Sequence, residues 1–447
     1  MLGEGVKELE EIKVSVVMAV YNAERYLRQA LGSVCAQTLK EIEIICVDDG
    51  STDGSMEILK EFAGQDDRIK ILQHLEKTDG AAAARNMGLQ AAKGEYLSFL
   101  DADDWFEPDM LEKAYEKASL QELDVLIFDA YVYREATGYD EEAGWVVRRE
   151  FIPEEQVFAP AACGASLFRI QMGAAWNILF RRTFIQEQGI SFASIHHTDD
   201  QVFVYLSFAL ARRMSFLPER LLHYRKDVAG SQSANAGQHP EAGYMGPWVL
   251  KQELEKRGIY KKYWKAVANL ALEVSEWHLC RMANFENFAI LQRALQDEYL
   301  RALRADCLRP EQMTDPALDA WQEIVLEGTA EDMIDHYYLP RWLGEEAAEL
   351  LHGLPWGKRI ALYGAGDRGK QVFKWLFGWK WCSLATWVDR DYERIGFPVR
   401  NPETLRQGGY DAVVVAVESV ATFRGIRSYL MGMGIQPENI IWLFRNM

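Results

Sequence analysis

Paired cysteines are missing from this chain: Cys35, Cys46, Cys163, Cys280, Cys307 and Cys382 are scattered with no CxxC among them. Most lie in apolar stretches where a free thiol packs as a small hydrophobe, so no disulfide framework is expected and reduced cytosol fits best. Long apolar runs are missing too. No stretch approaches the roughly 18 apolar residues of a membrane span, and the acidic start, MLGEGVKELEEIK, has no apolar signal core. The expected location is therefore cytoplasmic, with a peripheral position on the inner face of the membrane as the variant. Positive charge is in short supply. A formal net charge of -18 repels phosphate backbones, and no local basic stripe offsets it, which argues against nucleic acid as a partner. An acidic enzyme can still bind a nucleotide diphosphate when a divalent cation bridges carboxylate to phosphate.

What is present is ordinary globular material, 49% hydrophobic and 26% charged over 447 residues. At roughly 100 to 200 residues per domain this suggests two or three domains. Val14 to Val20, VSVVMAV, is a β-branched apolar run of the kind buried on both faces of a parallel sheet. Tyr26, Leu27, Ala30, Leu31, Val34 and Cys35 then recur at helical spacing. The alternation repeats through EIEIICV, a helix around Met56 to Phe62, IKIL, a helix from Ala81 to Ala92, EYLSFL, a helix after Pro108, and DVLIFDAYVY. Repeated βα units predict an open, mainly parallel α/β sheet over residues 1–235. From Glu241 to Leu351 the pattern is helical, giving an expected helical region at 236–354, and strand signals return after Pro355 in a small α/β unit at 355–447.

Ligands of such sheets sit beyond the carboxyl ends of the strands, and here those ends are acidic. The first strand ends in Tyr21-Asn22, the second in Asp48-Asp49-Gly50-Ser51, and a later one in Asp101-Ala102-Asp103-Asp104. Buried carboxylates need a partner or a metal. Asp101 and Asp103 are spaced so that one can hold a ribose while the other takes a hard cation, Mn²⁺ or Mg²⁺. Asp49, before a Gly-Ser-Thr-Asp turn, could accept the imide N–H of uracil, with Asn22 and Asp48 nearby. Alone, either acidic motif is more simply a turn or a helix cap; their order and spacing give them weight.

VSVVMAVYNAERYLRQALGSVCAQTLKEIEIICVDDGSTDGS and ARNMGLQAAKGEYLSFLDADDWFEPDML together resemble the amino-terminal signature of family 2 glycosyltransferases of the GT-A fold. WNILFRRTF, TDDQVF, LLHYR and GSQS resemble the second half of that domain, so the likeness covers about residues 12–235. It implies a nucleotide-sugar donor and a glycan or lipid-linked acceptor. It further implies base contact by Asp49, nucleotide contacts by Tyr21 and Asn22, and the DxD roles for Asp101 and Asp103, with Asp103 on the metal. Arg85 would meet the nucleotide or brace the acidic cluster. The family's Glu-Asp pair is replaced by Asp199-Asp200, with Asp200 the candidate general base. His223 in LLHYR is a candidate metal ligand or phosphate contact, against a plain reading as a half-buried polar group at a strand end. Trp176 and Asn177 could line an acceptor pocket, or simply pack.

Two other functions share the nucleotide chemistry of transfer. A sugar nucleotidyltransferase should carry a Gly-rich basic loop after its first strand, where this chain has AVYNAERY. A catalytically dead sensor would not need to keep Asp101, Asp103 and a base.

In the last unit, Tyr363-Gly364-Ala365-Gly366-Asp367-Arg368-Gly369 follows a strand and precedes a helix, with Asp389 some twenty residues on. This matches the GxGxxG geometry for a pyrophosphate. Gly364, Gly366, Gly369 and Asp389 are the candidate contacts of a Rossmann-like nucleotide-binding unit, a purely structural dock being the alternative. Phe373 to Trp381, FKWLFGWKW, mixes Lys with Trp as a membrane-interface surface does, or packs on the sheet.

Overall fold

The computed structural model describes residues 11–74, 80–135, 137–195, 197–226, 228, 236–282, 285–333, 337–338, 358–373, 376, 382–395, 398–417 and 419–443. The chain divides into two compact units, Met1–Asn235 with Tyr244–Val274 and Ala302–Pro316, and Ala236–Gly243 with Ser275–Arg301 and Ala317–Met447.

The first unit is built on β1 (Val14–Val20), β2 (Ile42–Asp48), β3 (Ile69–Gln73), β4 (Tyr96–Asp101), β5 (Trp105–Phe106), β6 (Val125–Arg134), β7 (Tyr139–Glu142), β8 (Ile178–Arg181) and β9 (Met214–Lys226). Their spatial order is β3-β2-β1-β4-β8-β6-β9-β5, with β7 on β6. The four strands β3, β2, β1 and β4 are parallel, as the largely apolar runs of β1, β2 and β4 predict. Beyond β4 the sheet becomes mixed: β8 runs antiparallel to β4 and β6, while β9 is parallel to β6 and pairs β5 antiparallel.

Helices α1 (Glu24–Cys35), α2 (Ser55–Ala63), α3 (Ala82–Ala91) and α4 (Met110–Leu120) connect the early strands. Each buries one stripe; in α1 it is Leu27, Ala30, Leu31 and Val34, the i, i+3, i+4, i+7 face. α3 crosses β1 so closely that a Cβ on Gly88 would stand 2.3 Å from Val17 Cγ1. Later come α5 (Arg182–Glu187), α6 (Asp199–Leu210), α7 (Met245–Lys256) and α8 (Tyr260–Leu279). α6 is buried on nearly every side, as its apolar DDQVFVYLSFAL requires.

Described helices of the second unit include α9 (Phe285–Ala294) and α10 (Asp319–Glu327). Its sheet is entirely parallel, in the order β11 (Ser383–Val388), β10 (Arg359–Tyr363), β12 (Ala412–Val415), β13 (Ile440–Trp442). α11 (Asp367–Phe373) follows β10, and α12 (Val420–Gly432) packs Ile426 and Leu430 into the core with Val413 and Val415. Most of the aromatic stretch from Phe373 to Trp381 lies outside the described residues. Among the described residues no helix is long and apolar enough to cross a membrane.

Candidate active site

β1 separates β2 from β4, with Val20 opposite Asp48 and Ala19 opposite Asp101. Two acidic strand ends therefore flank the tip of β1, about 10 Å apart at two strand spacings. The turns after β1 and β2 then lock into each other. Ser51 Oγ accepts the Asn22 N–H at 3.0 Å, and Asn22 Oδ1 accepts the Thr52 N–H at 2.8 Å. Ser55 Oγ and Asp53 Oδ2 accept the Ala23 and Glu24 N–H groups that α1 cannot bond itself, at 2.9 and 3.1 Å. Asn22 pivots in the left-handed region, φ 47°, which asparagine tolerates better than most residues. The result holds Tyr21, 42% exposed, just beyond the end of β1.

Below it Asp48 is fully buried, accepting long bonds of 3.4 Å from the Ser51 N–H and Gln73 Nε2. Asp49 is buried as well, and its Oδ1 lies 2.7 Å from Nδ1 of His74. His74 belongs to no motif of the sequence; its one signal there is its place directly after β3, at the same carboxyl edge.

Arg85 projects from α3 and joins two acidic segments: Nη2 donates to Asp101 Oδ1 at 2.9 Å and Nη1 to Asp199 Oδ2 at 3.0 Å. Burial works against its charge, but Asp101 and Asp199 outweigh burial and hold the guanidinium protonated above its ordinary range. Of the two roles expected for Arg85, bracing is the one these bonds describe. The α6 start that carries Asp199 and Asp200 follows two left-handed residues, His197 (φ 85°) and Thr198 (φ 60°), a strain typical of functional turns. Burial, then the neighbouring Asp199, push Asp200 up to about 7, while Arg85 pulls the other way. Asp199 is also raised, by burial, against the opposing pull of Arg85.

At the tip of β4 the Asp104 N–H closes a turn on the Asp101 carbonyl at 3.1 Å. Burial and then Asp101 raise Asp103 to about 6. Burial and then Asp103 raise Asp104 well above the usual carboxylate range, and its Oδ2 is buried without a partner among the described residues. No described side chain donates to the Asp103 carboxylate. Among the described residues no group of three or more His, Cys, Asp or Glu is arranged to hold a metal ion, so a divalent cation here would rest on one or two of these hard carboxylate oxygens and on ligands from the substrate.

His223 lies on β9 opposite Trp105 and is stacked between Trp105 and Tyr131 at 4.6 and 5.0 Å. Its Nε2 is 2.8 Å from Glu107 and its Nδ1 2.9 Å from Asp140. With both ring nitrogens against carboxylates, the expected metal role has no open nitrogen in this arrangement. Trp176 is 4% exposed and stacks on Tyr224 at 4.9 Å, and Asn177 is fully buried, bonded to Phe128 and Gln171. Both therefore pack.

In the second unit the glycine loop lies between β10 and α11. Gly364 has φ 110°, and a Cβ on Gly369 would stand 2.1 Å from the Gly364 carbonyl oxygen, whereas one on Gly366 would meet nothing within 4 Å. Asp389 Oδ2 accepts the Ala365 N–H at 2.7 Å, so the acid reaches the loop itself.

A mixed sheet whose parallel half ends in paired carboxylates, followed by an acidic helix start, defines the GT-A class of fold. The crystal structure of Staphylococcus aureus TarS 1-349 in complex with UDP-GlcNAc shares it, with a TM-score of 0.55 at 19% identity over 74% of this chain and 91% of that one. The glycosyl transferase family 2 profile matches residues 15–187. GlyG, a glycosyltransferase of Streptococcus pneumoniae serotype 4, is 34% identical over 217 residues, 48% of this chain and 70% of GlyG. EpsH of Bacillus subtilis is 36% identical over 221 residues, 48% of this chain. The protein belongs to glycosyl transferase family 2. It spans less than two thirds of some curated relatives, 62% of EpsH and 18% of the pneumococcal glycosyltransferase GlyA.

Proposed function

We propose that this protein transfers a sugar from a UDP-linked donor to a hydroxyl of a glycan or lipid-linked acceptor, with inversion at the anomeric carbon, in polysaccharide or glycan biosynthesis. The observation that carries the reading is the double ion pair of Arg85, which ties the DxD aspartate Asp101 to the helix start that bears the candidate base. Donor-side and acceptor-side chemistry thus share one brace.

Tyr21 and Asn22 receive the nucleotide with Asp48, and Asp49 accepts the uracil imide, oriented by His74. Asp200 takes the proton from the acceptor hydroxyl as its oxygen bonds to the anomeric carbon, while the bond from that carbon to the diphosphate oxygen breaks on the opposite side. A raised affinity for protons suits a base that must gain one near neutral pH. Asp103, with Asp101, would hold Mn²⁺ or Mg²⁺, which supplies charge stabilisation to the departing diphosphate.

The test is a panel of UDP-sugars with the full chain and Mn²⁺, reading the configuration of the product by NMR. Inversion is expected, and Asp200→Asn should bind donor yet lose transfer. Retained configuration, or near-normal transfer by Asp200→Asn, contradicts the mechanism.

A further inference from the structure

Arg225, near the end of β9, is drawn toward the DxD turn from 121 residues away. Its side chain is only 5% exposed, and every donor shown for it has a partner. The backbone N–H donates to Asp104 Oδ1 at 2.7 Å and Nε to the Asp103 carbonyl at 2.8 Å. Nη1 donates to Glu135 Oε2 and Nη2 to Gln29 Oε1, each at 2.6 Å. The guanidinium lies over the rings of Tyr26, Trp105 and Tyr133 at 4.6, 4.7 and 5.0 Å.

The choice of acceptor matters. Asp101, Asp103 and Asp104 repel one another at the strand tip, and an arginine placed there only to neutralise them would pair with a carboxylate. Arg225 instead pairs its charge with Glu135 and gives Nε to the peptide of Asp103. This fixes the backbone under Asp103 and leaves its carboxylate available to a ligand. The flat five-donor fork of arginine can serve Asp103, Glu135 and Gln29 at once while stacking on Trp105; the point charge of lysine cannot.

We propose that Arg225 is a positioning residue that sets the Asp103 carboxylate for a divalent cation and the donor diphosphate. The inference rests on the metal-dependent reading above. Partners that orient a ligating carboxylate are commonly worth about 10–100-fold in metal affinity.

The experiment is Mn²⁺ titration of the full chain followed by electron paramagnetic resonance, for the wild type, Arg225→Lys, Trp105→Leu and Arg220→Lys. Thermal unfolding of each is recorded alongside. Arg220→Lys is the control, since Arg220 pairs with Glu142 and lies over Tyr131, apart from the DxD turn. The expected result is about 10–100-fold weaker Mn²⁺ binding by Arg225→Lys, a smaller loss in Trp105→Leu, and none in Arg220→Lys. With donor present, KM for Mn²⁺ should rise more than kcat falls. If Arg225→Lys does not fold, Trp105→Leu decides: weakened binding supports the role and unchanged binding overturns it. Wild-type binding with an equal Arg225→Lys overturns the positioning role alone. A wild type that binds no Mn²⁺ overturns the metal reading and this inference with it.

Discussion

Arg85 lies 3.0 Å from Asp199, a residue 114 positions later in the chain, and the pair is almost wholly buried. The ion pair is the physical join between the early parallel strands and the helix start carrying Asp200.

Removing the cation should cost stability as well as activity. Arg85→Met leaves Asp199 and Asp101 without their shared partner, and breaking a buried pair from one side costs about 3–5 kcal/mol. Urea unfolding of the variant should show a loss of that order at pH 7; a loss below about 1 kcal/mol would mean the brace is dispensable.

Asp200 should set opposite slopes for activity and stability. As a base it works only when ionised, so kcat/KM should climb with pH through about 7. Its folded-state affinity for protons is raised above the unfolded value near 3.9, so folding favours the neutral acid. That contribution to stability is present at low pH and is lost as pH rises through about 7. Asp200→Asn stays neutral; it should melt higher than the wild type at pH 8, by about 2 °C or more, and close to it at pH 4. Its turnover should fall about 10²–10⁴-fold. Equal melting temperatures at pH 8 would contradict the assignment.

His74→Ala removes the ring that orients Asp49. A hydrogen bond to a charged group is worth about 1.5–3 kcal/mol, so UDP affinity measured by calorimetry should drop about 10–100-fold. Mn²⁺ affinity should stay unchanged; a change there of similar size would assign His74 elsewhere.

In the second unit, Gly369→Ala drives a methyl against the Gly364 carbonyl and should destabilise by about 1–3 kcal/mol. Gly366→Ala meets open space and should melt like the wild type. If the loop takes a pyrophosphate, Gly366→Ala will still weaken it. Titrating the full chain with NAD(H) and with UDP-sugars checks this, and unchanged affinity for every ligand in Gly366→Ala would favour a structural dock.

The parallel half of the sheet was legible because β1, β2 and β4 are buried on both faces and so are mostly apolar, with Ser15, Glu43 and Ser98 as buried polar exceptions. The antiparallel half was not. β9 reads MSFLPERLLHYRK, interrupted by Pro218 and charges, and its pairing with β5 and β6 joins segments far apart in sequence, as does the bond between Arg225 and Glu135, 90 residues apart. The role of Arg225 was hidden for the same reason, since nothing local links it to Asp103. His223 was legible as a polar group at a strand end, but its partners Glu107 and Asp140, distant in sequence, were not. Asp389 was legible from its spacing to the glycines, but its bond to the Ala365 N–H was not.

The most direct measurement is the thermal shift given by UDP-sugars with Mn²⁺ and with EDTA, for the wild type and for Asp101→Asn with Asp103→Asn, since ligand stabilisation follows affinity for the folded state. A donor-dependent rise that needs Mn²⁺ and disappears in the double variant is the expected result. A rise of equal size in EDTA, or one that survives loss of both aspartates, would contradict a cation-held diphosphate at the tip of β4.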